Sequence, residues 1–74
     1  MDFGQALAFL KAGDRVARTG WNGKGMWLEY ADDARFGPNE VLLLPFIVMR
    51  TVQGAFVPWL ASQTDILAED WIVL

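Results

Sequence analysis

Phe46-Ile47-Val48-Met49-Arg50-Thr51-Val52-Gln53-Gly54-Ala55-Phe56-Val57-Pro58-Trp59 is the stretch whose reading decides the fold. Two runs rich in β-branched and aromatic residues flank Gln53-Gly54. The segment from Pro45 to Leu60 therefore reads as a hairpin, with Gly54 in the φ > 0 position of a tight turn. Pro58 has no N–H to give to a ladder, so its strand lies at a sheet edge or is ending there. Working back along the chain, Arg15-Val16-Ala17-Arg18 and Met26-Trp27-Leu28-Glu29-Tyr30 have strand composition. Between them Gly20-Trp21-Asn22-Gly23-Lys24-Gly25 is a loop rich in positions that tolerate φ > 0. Asp32 to Glu40, with its charges, Gly37, Pro38 and Asn39, reads as a connecting loop.

The ends of the chain supply helices. Asp2 and Gln5 have the spacing of a capping box, and Phe3, Ala6, Leu7 and Leu10 then recur at helical spacing. Gly13 stops this helix, with Lys11 in the last turn where a cation suits the dipole. Ser62-Gln63-Thr64-Asp65 offers a second capping box before a short helix from Thr64 to Ala68, and Trp71-Ile72-Val73-Leu74 closes as a strand. The fold class is α+β: one domain over residues 1–74, a small, mostly antiparallel sheet with an N-terminal helix and a short C-terminal helix.

Composition narrows the function. With 74 residues and a net charge of −3, the chain offers no bulk basic surface for DNA or RNA. Cysteine and histidine are both absent, which removes disulfides, thiolate metal sites and the commonest general base. No HExxH, Walker or GxSxG pattern occurs, and the adjacent pairs Asp32/Asp33 and Glu69/Asp70 read as solvated surface. The chain reads as non-catalytic and needs no cofactor. The uncharged run Val41 to Met49 is too short to span a bilayer, and no leader pattern opens the sequence. A cytosolic protein without a membrane partner is expected. Hydrophobic residues make up 54 % of the chain, four of them Trp and five Phe. A chain this small buries only about 60 % of its unfolded surface, so the aromatic excess points to an obligate homo-oligomer.

Two segments are suited to a ligand. In the glycine loop, Trp21 offers an indole face, Asn22 an amide, Gly23 and its neighbours backbone N–H groups, and Lys24 an ammonium. Such a loop is either an ordinary turn or an anion-binding nest. At Ser62 to Asp65, unpaired N–H groups of a helix start suit a phosphate, or the hydroxyls simply cap the helix. Trp21, Trp59 and Trp71 are either core residues or stacking platforms.

Phe3-Gly4-Gln5-Ala6-Leu7, Arg18 to Met26, Leu44-Pro45-Phe46-Ile47 and the run Val57 to Trp71 resemble, nearly end to end, a phage family, the second Thoeris anti-defence family. The run from Pro58 to Trp71 follows the family pattern almost without a break, and Ala31 to Val41 is its least characteristic part. The resemblance implies a homotetrameric sponge that sequesters a cyclic ADP-ribose isomer (gcADPR) without cleaving it, and so inhibits host Thoeris defence from the cytoplasm of the infected cell. It also implies a second pocket for cyclic dinucleotides in some members. The family's conspicuous positions fall on Trp21, Asn22 and Met26, and on Ser62, Thr64, Asp65 and Trp71. On this reading Trp21 or Trp71 stacks on adenine, Asp65 faces ribose hydroxyls or the adenine amino group, and Arg18 or Lys24 meets phosphate. The alternative is a structural or protein-binding phage module without a nucleotide ligand, with a hydrolase third.

Overall fold

A computed structural model of the chain describes residues 1–21 and 25–74. Helix α1 spans Phe3–Lys11 and is closed at both ends as its sequence demands. Gln5 N donates to Asp2 Oδ1 at 2.8 Å and Asp2 N donates to Gln5 Oε1 at 3.1 Å, completing the capping box. At the other end Gly13 turns to φ +98°, and the N–H groups of Gly13 and Asp14 donate to the carbonyls of Leu10 and Phe9. That is a Schellman stop, which needs the left-handed residue that Gly13 supplies.

Five strands form an antiparallel sheet in the order β6-β5-β2-β1-β7: β1 (Val16–Arg18), β2 (Trp27–Ala31), β5 (Phe46–Arg50), β6 (Phe56–Pro58) and β7 (Trp71–Val73). Register places Val16, Leu28 and Met49 in one row, and α1 lays Ala6 and Leu10 over it. Val16, Leu28, Ala6, Leu10 and Trp71 are the core, and Met49, Phe3, Leu7, Tyr30, Ile47 and Trp59 pack around them. Burying a leucine such as Leu28 completely contributes about 1.5–3 kcal/mol. Pro58 sits on the edge strand β6 opposite Val48, where its missing N–H interrupts no ladder.

The hairpin forms with one adjustment. Strand β5 ends at Arg50, and Thr51 to Ala55 make the turn: Gly54 N donates to Thr51 O at 3.0 Å and Thr51 N to Ala55 O at 2.8 Å. Gly54 has φ +86°, the left-handed residue of a three-residue hairpin loop with a bulge. The loop expected at Asp32 to Glu40 is instead a small ribbon, β3 (Arg35–Phe36) paired with β4 (Val41–Leu42). Strands of two residues are too short to show alternation, and their turn residues dominate the reading. Helix α2 covers Gln63–Ile66, one residue earlier than expected at its start and two at its end, because Ser62 is its N-cap.

Among the described residues, no helix covers the sheet face away from α1. Alternation puts Trp27, Glu29, Val48, Arg50, Phe56 and Ile72 there, and Phe56 is 54 % exposed. Arg15 and Arg50 each lie 4.6 Å from the centroid of the Trp27 ring, and Glu29 Oε1 accepts from both Trp27 Nε1 and Arg15 Nε at 2.8 Å. Among the described residues, no helix is long and apolar enough to cross a membrane.

Candidate functional site

The two ligand-suited segments of the sequence meet at one carboxylate. Asp65 Oδ1 accepts from Trp21 Nε1 at 3.4 Å and from Arg18 Nη1 at 2.8 Å. Its backbone carbonyl accepts from Trp71 Nε1 at 3.0 Å, and its backbone N–H donates to Ser62 Oγ at 3.1 Å. Residues 44 and 47 positions apart in sequence are thus joined through a four-residue helix. Its N-cap is Ser62, so the hydroxyl is engaged by the helix itself. Only half of the expected second capping box forms, because the Asp65 side chain turns to Arg18 and Trp21 instead of back to Ser62.

Arg18 also reaches a second carboxylate. Its Nε donates to Asp70 Oδ1 at 2.8 Å, while Asp70 Oδ2 accepts from Gly20 N at 2.8 Å and from Thr19 Oγ1 at 3.3 Å. Hydrogen bonding from Arg18, with further help from Gly20, holds the Asp70 carboxyl below the usual carboxylate range. Asp70 and then Asp65 raise Arg18 above the ordinary arginine value. Two expectations change here. Asp70 is a paired, structural carboxylate and not solvated surface. Arg18, expected at a phosphate, is paired with two carboxylates here.

The tryptophans divide. Trp71 is 1 % exposed, and its ring is packed by Phe3 at 5.2 Å, Trp21 at 5.4 Å and Trp59 at 6.1 Å between centroids. It is a core residue, and a nucleotide base has no face of it to stack on in this protomer. Trp21 packs edge-on against Trp71 at 78° and remains partly accessible. Met26 is half-buried, Thr64 is exposed. Asn22, Gly23 and Lys24 lie outside the described residues.

A cleft of about 510 Å³ opens beside this cluster, lined by Phe3, Leu7, Tyr30, Phe46, Trp59 and Ile66, with Lys11 also at its wall. Its volume is that of a small-molecule site. Among the described residues, none of the ligand residues named from the sequence lines it, although Ala61 and Ile66, which do, bracket Ser62 to Asp65. Sequence reasoning missed Tyr30 and Lys11 here. Phe3, Leu7 and Lys11 recur every four residues on α1, a spacing that places all three on one stripe and was the available signal. Among the described residues no three acidic, histidine or cysteine side chains converge on a metal site.

The Tad2-like, Thoeris anti-defense 2-like domain family matches residues 1–74. A relative from Bacillus phage SP01, Thoeris anti-defense 2, is 42 % identical over an alignment of 84 residues that takes in all of this chain and 94 % of the relative. On both matches, the chain belongs to the Thoeris anti-defense 2-like family.

Proposed function

We propose that the chain is a non-catalytic phage inhibitor of Thoeris defence that acts in the host cytoplasm by binding and sequestering gcADPR. The observation that carries this reading is the convergence on Asp65 of the glycine-loop residue Trp21 and the Ser62–Asp65 segment. One ligand lying there touches both segments at once. Trp21 supplies a partly accessible indole, Thr64 an exposed hydroxyl, and the adjoining aromatic cleft room for a base. A sponge needs affinity and no reacting group, and a chain without histidine or cysteine is suited to that task. The long-range field of a −3 protein opposes an anion, but screening over about 8 Å leaves local donors in control.

Assembly belongs to the same proposal. The uncovered sheet face and the almost fully exposed Leu44 and Leu60, which flank the hairpin, support a homotetramer with hairpin strands at its interfaces. Light scattering should give about four times the 8.3 kDa of one chain; a value near one chain at micromolar concentration refutes it. A second pocket for cyclic dinucleotides is tested by calorimetric titration of the protein with a cyclic dinucleotide. The same exposed leucines favour the competing reading of a protein-binding module without a nucleotide. One experiment separates them: incubate the protein with gcADPR, remove unbound ligand, heat, and analyse the supernatant. Intact ligand released only on denaturation supports the sponge. Ligand free throughout leaves the protein-binding module, and converted ligand makes the chain an enzyme.

A further inference from the structure

Trp21 is held at three points by one network centred on Arg18. Its backbone N–H donates to Arg18 O at 3.2 Å, which closes a turn immediately after β1. The residue before it, Gly20, donates its N–H to Asp70 Oδ2 at 2.8 Å, and the other oxygen of that carboxylate is fixed by Arg18 Nε. The indole N–H donates to Asp65 Oδ1, which is fixed by Arg18 Nη1. Gly20 leaves the room this needs, since a Cβ there would stand 2.8 Å from Asp70 Oδ2. Arg18 is thus the bridge between the carboxylate that sets the Trp21 backbone and the carboxylate that sets its ring. A planar guanidinium can hold two carboxylates from separate edges, which an ammonium cannot do with the same geometry.

We propose that Arg18 is a positioning residue for ligand capture, acting through Trp21 by orienting Asp65 and Asp70. The inference rests on the sequestration reading above and adds a role to that same site. Its physical content is preorganisation: a ring already aimed before the ligand arrives loses less freedom when it binds. Arg18 does not touch the ligand on this account, and its effect must vanish when Trp21 is gone.

The test is a double-mutant cycle read by calorimetric titration with gcADPR, using the full chain. Arg18→Gln should weaken binding by about 3- to 12-fold in the wild-type background, and by less than about twofold in a Trp21→Ala background. Tryptophan emission supplies a second readout, because loss of the Asp65 contact changes the surroundings of the Trp21 ring. Equal losses in both backgrounds overturn the proposal and make Arg18 a direct ligand contact or a general stabiliser. Unchanged affinity in Arg18→Gln overturns it as well. If that variant fails to fold, Asp70→Asn takes its place: it keeps an oxygen acceptor for Gly20 N and removes the charge that fixes Arg18. It should show the same dependence on Trp21, and additive losses overturn the proposal. Failure of the wild-type chain to bind gcADPR overturns both readings, whereas binding with additive cycles overturns the positioning role alone.

Discussion

Replacing Trp71 by Phe separates a core role from a ligand role at the residue where the two readings conflict most. The substitution keeps an aromatic ring in contact with Phe3, Trp21 and Trp59 but removes two ring carbons and the N–H that Asp65 O accepts at 3.0 Å. At about 0.8 kcal/mol per buried carbon group the lost burial costs about 1.6 kcal/mol. The lost hydrogen bond adds about 1 kcal/mol, and the Asp65 carbonyl keeps a longer bond from Ala68 N at 3.3 Å that limits the penalty. Together these give about 2.5 kcal/mol. A chain of 74 residues at about 0.05–0.15 kcal/mol per residue holds roughly 4–11 kcal/mol in all, so the variant should remain folded but visibly weakened. At about 4–8 °C per kcal/mol the melting temperature should fall by about 10–20 °C. Circular dichroism at fixed protomer concentration measures this, because coupling to assembly would otherwise mix with the result. Affinity for gcADPR, titrated well below the transition, should change little. A Trp71→Phe protein with wild-type melting and lost affinity would refute the assignment of Trp71 to the core.

Trp21→Ala should lower gcADPR affinity about 5- to 150-fold if its ring stacks on a base worth roughly 1–3 kcal/mol, with a stability loss near the 0.5–1.5 kcal/mol of one edge-on aromatic pair; titration and melting together check both. Ser62→Ala should cost about 0.5–2 kcal/mol in a denaturant titration and leave affinity within about twofold, since its hydroxyl already serves Asp65 N. Asp70 is held below its ordinary 3.8 chiefly by Arg18, so its contribution to stability is present above that pH and disappears as pH falls through its lower folded value. The melting-temperature gap between wild type and Asp70→Asn should therefore be flat from neutral pH to about 5 and shrink below about 4; a gap that persists unchanged into stronger acid would show that the charge on Asp70 is not its source.

The fold was legible where the sequence carries a short-range rule, and the site where a single residue type announces itself. Asp2/Gln5, Gly13, Gly54 and Pro58 each act through backbone geometry or a missing N–H, which is visible without any partner. The two-residue strands Arg35–Phe36 and Val41–Leu42 escaped because pairing that short leaves no periodicity to read. At the site, the reading singled out Trp21 and the Ser62–Asp65 segment, which the fold joins at Asp65, but could not say what each polar group would be spent on. That depends on pairings across 44 to 52 residues: Asp65 to Trp21 and Arg18, and Asp70 to Arg18. Arg18 on β1 and Asp70 just before β7 come together only because these strands pair with Arg18 opposite Trp71. The consequence bears on recognition as well as on folding. Because two carboxylates already match Arg18, the proposed ligand beside Trp21 is expected to be held by neutral donors or by a different cation. Shape and stacking, more than net charge, should then govern which cyclic nucleotide is retained. Raising the salt concentration from about 50 to 500 mM should accordingly change gcADPR affinity by less than about threefold, because screening weakens long-range attraction and leaves contact hydrogen bonds and stacking almost untouched. A loss of tenfold or more over that range would mean that unpaired cations carry the binding, and Arg18 would have to be reconsidered as one of them.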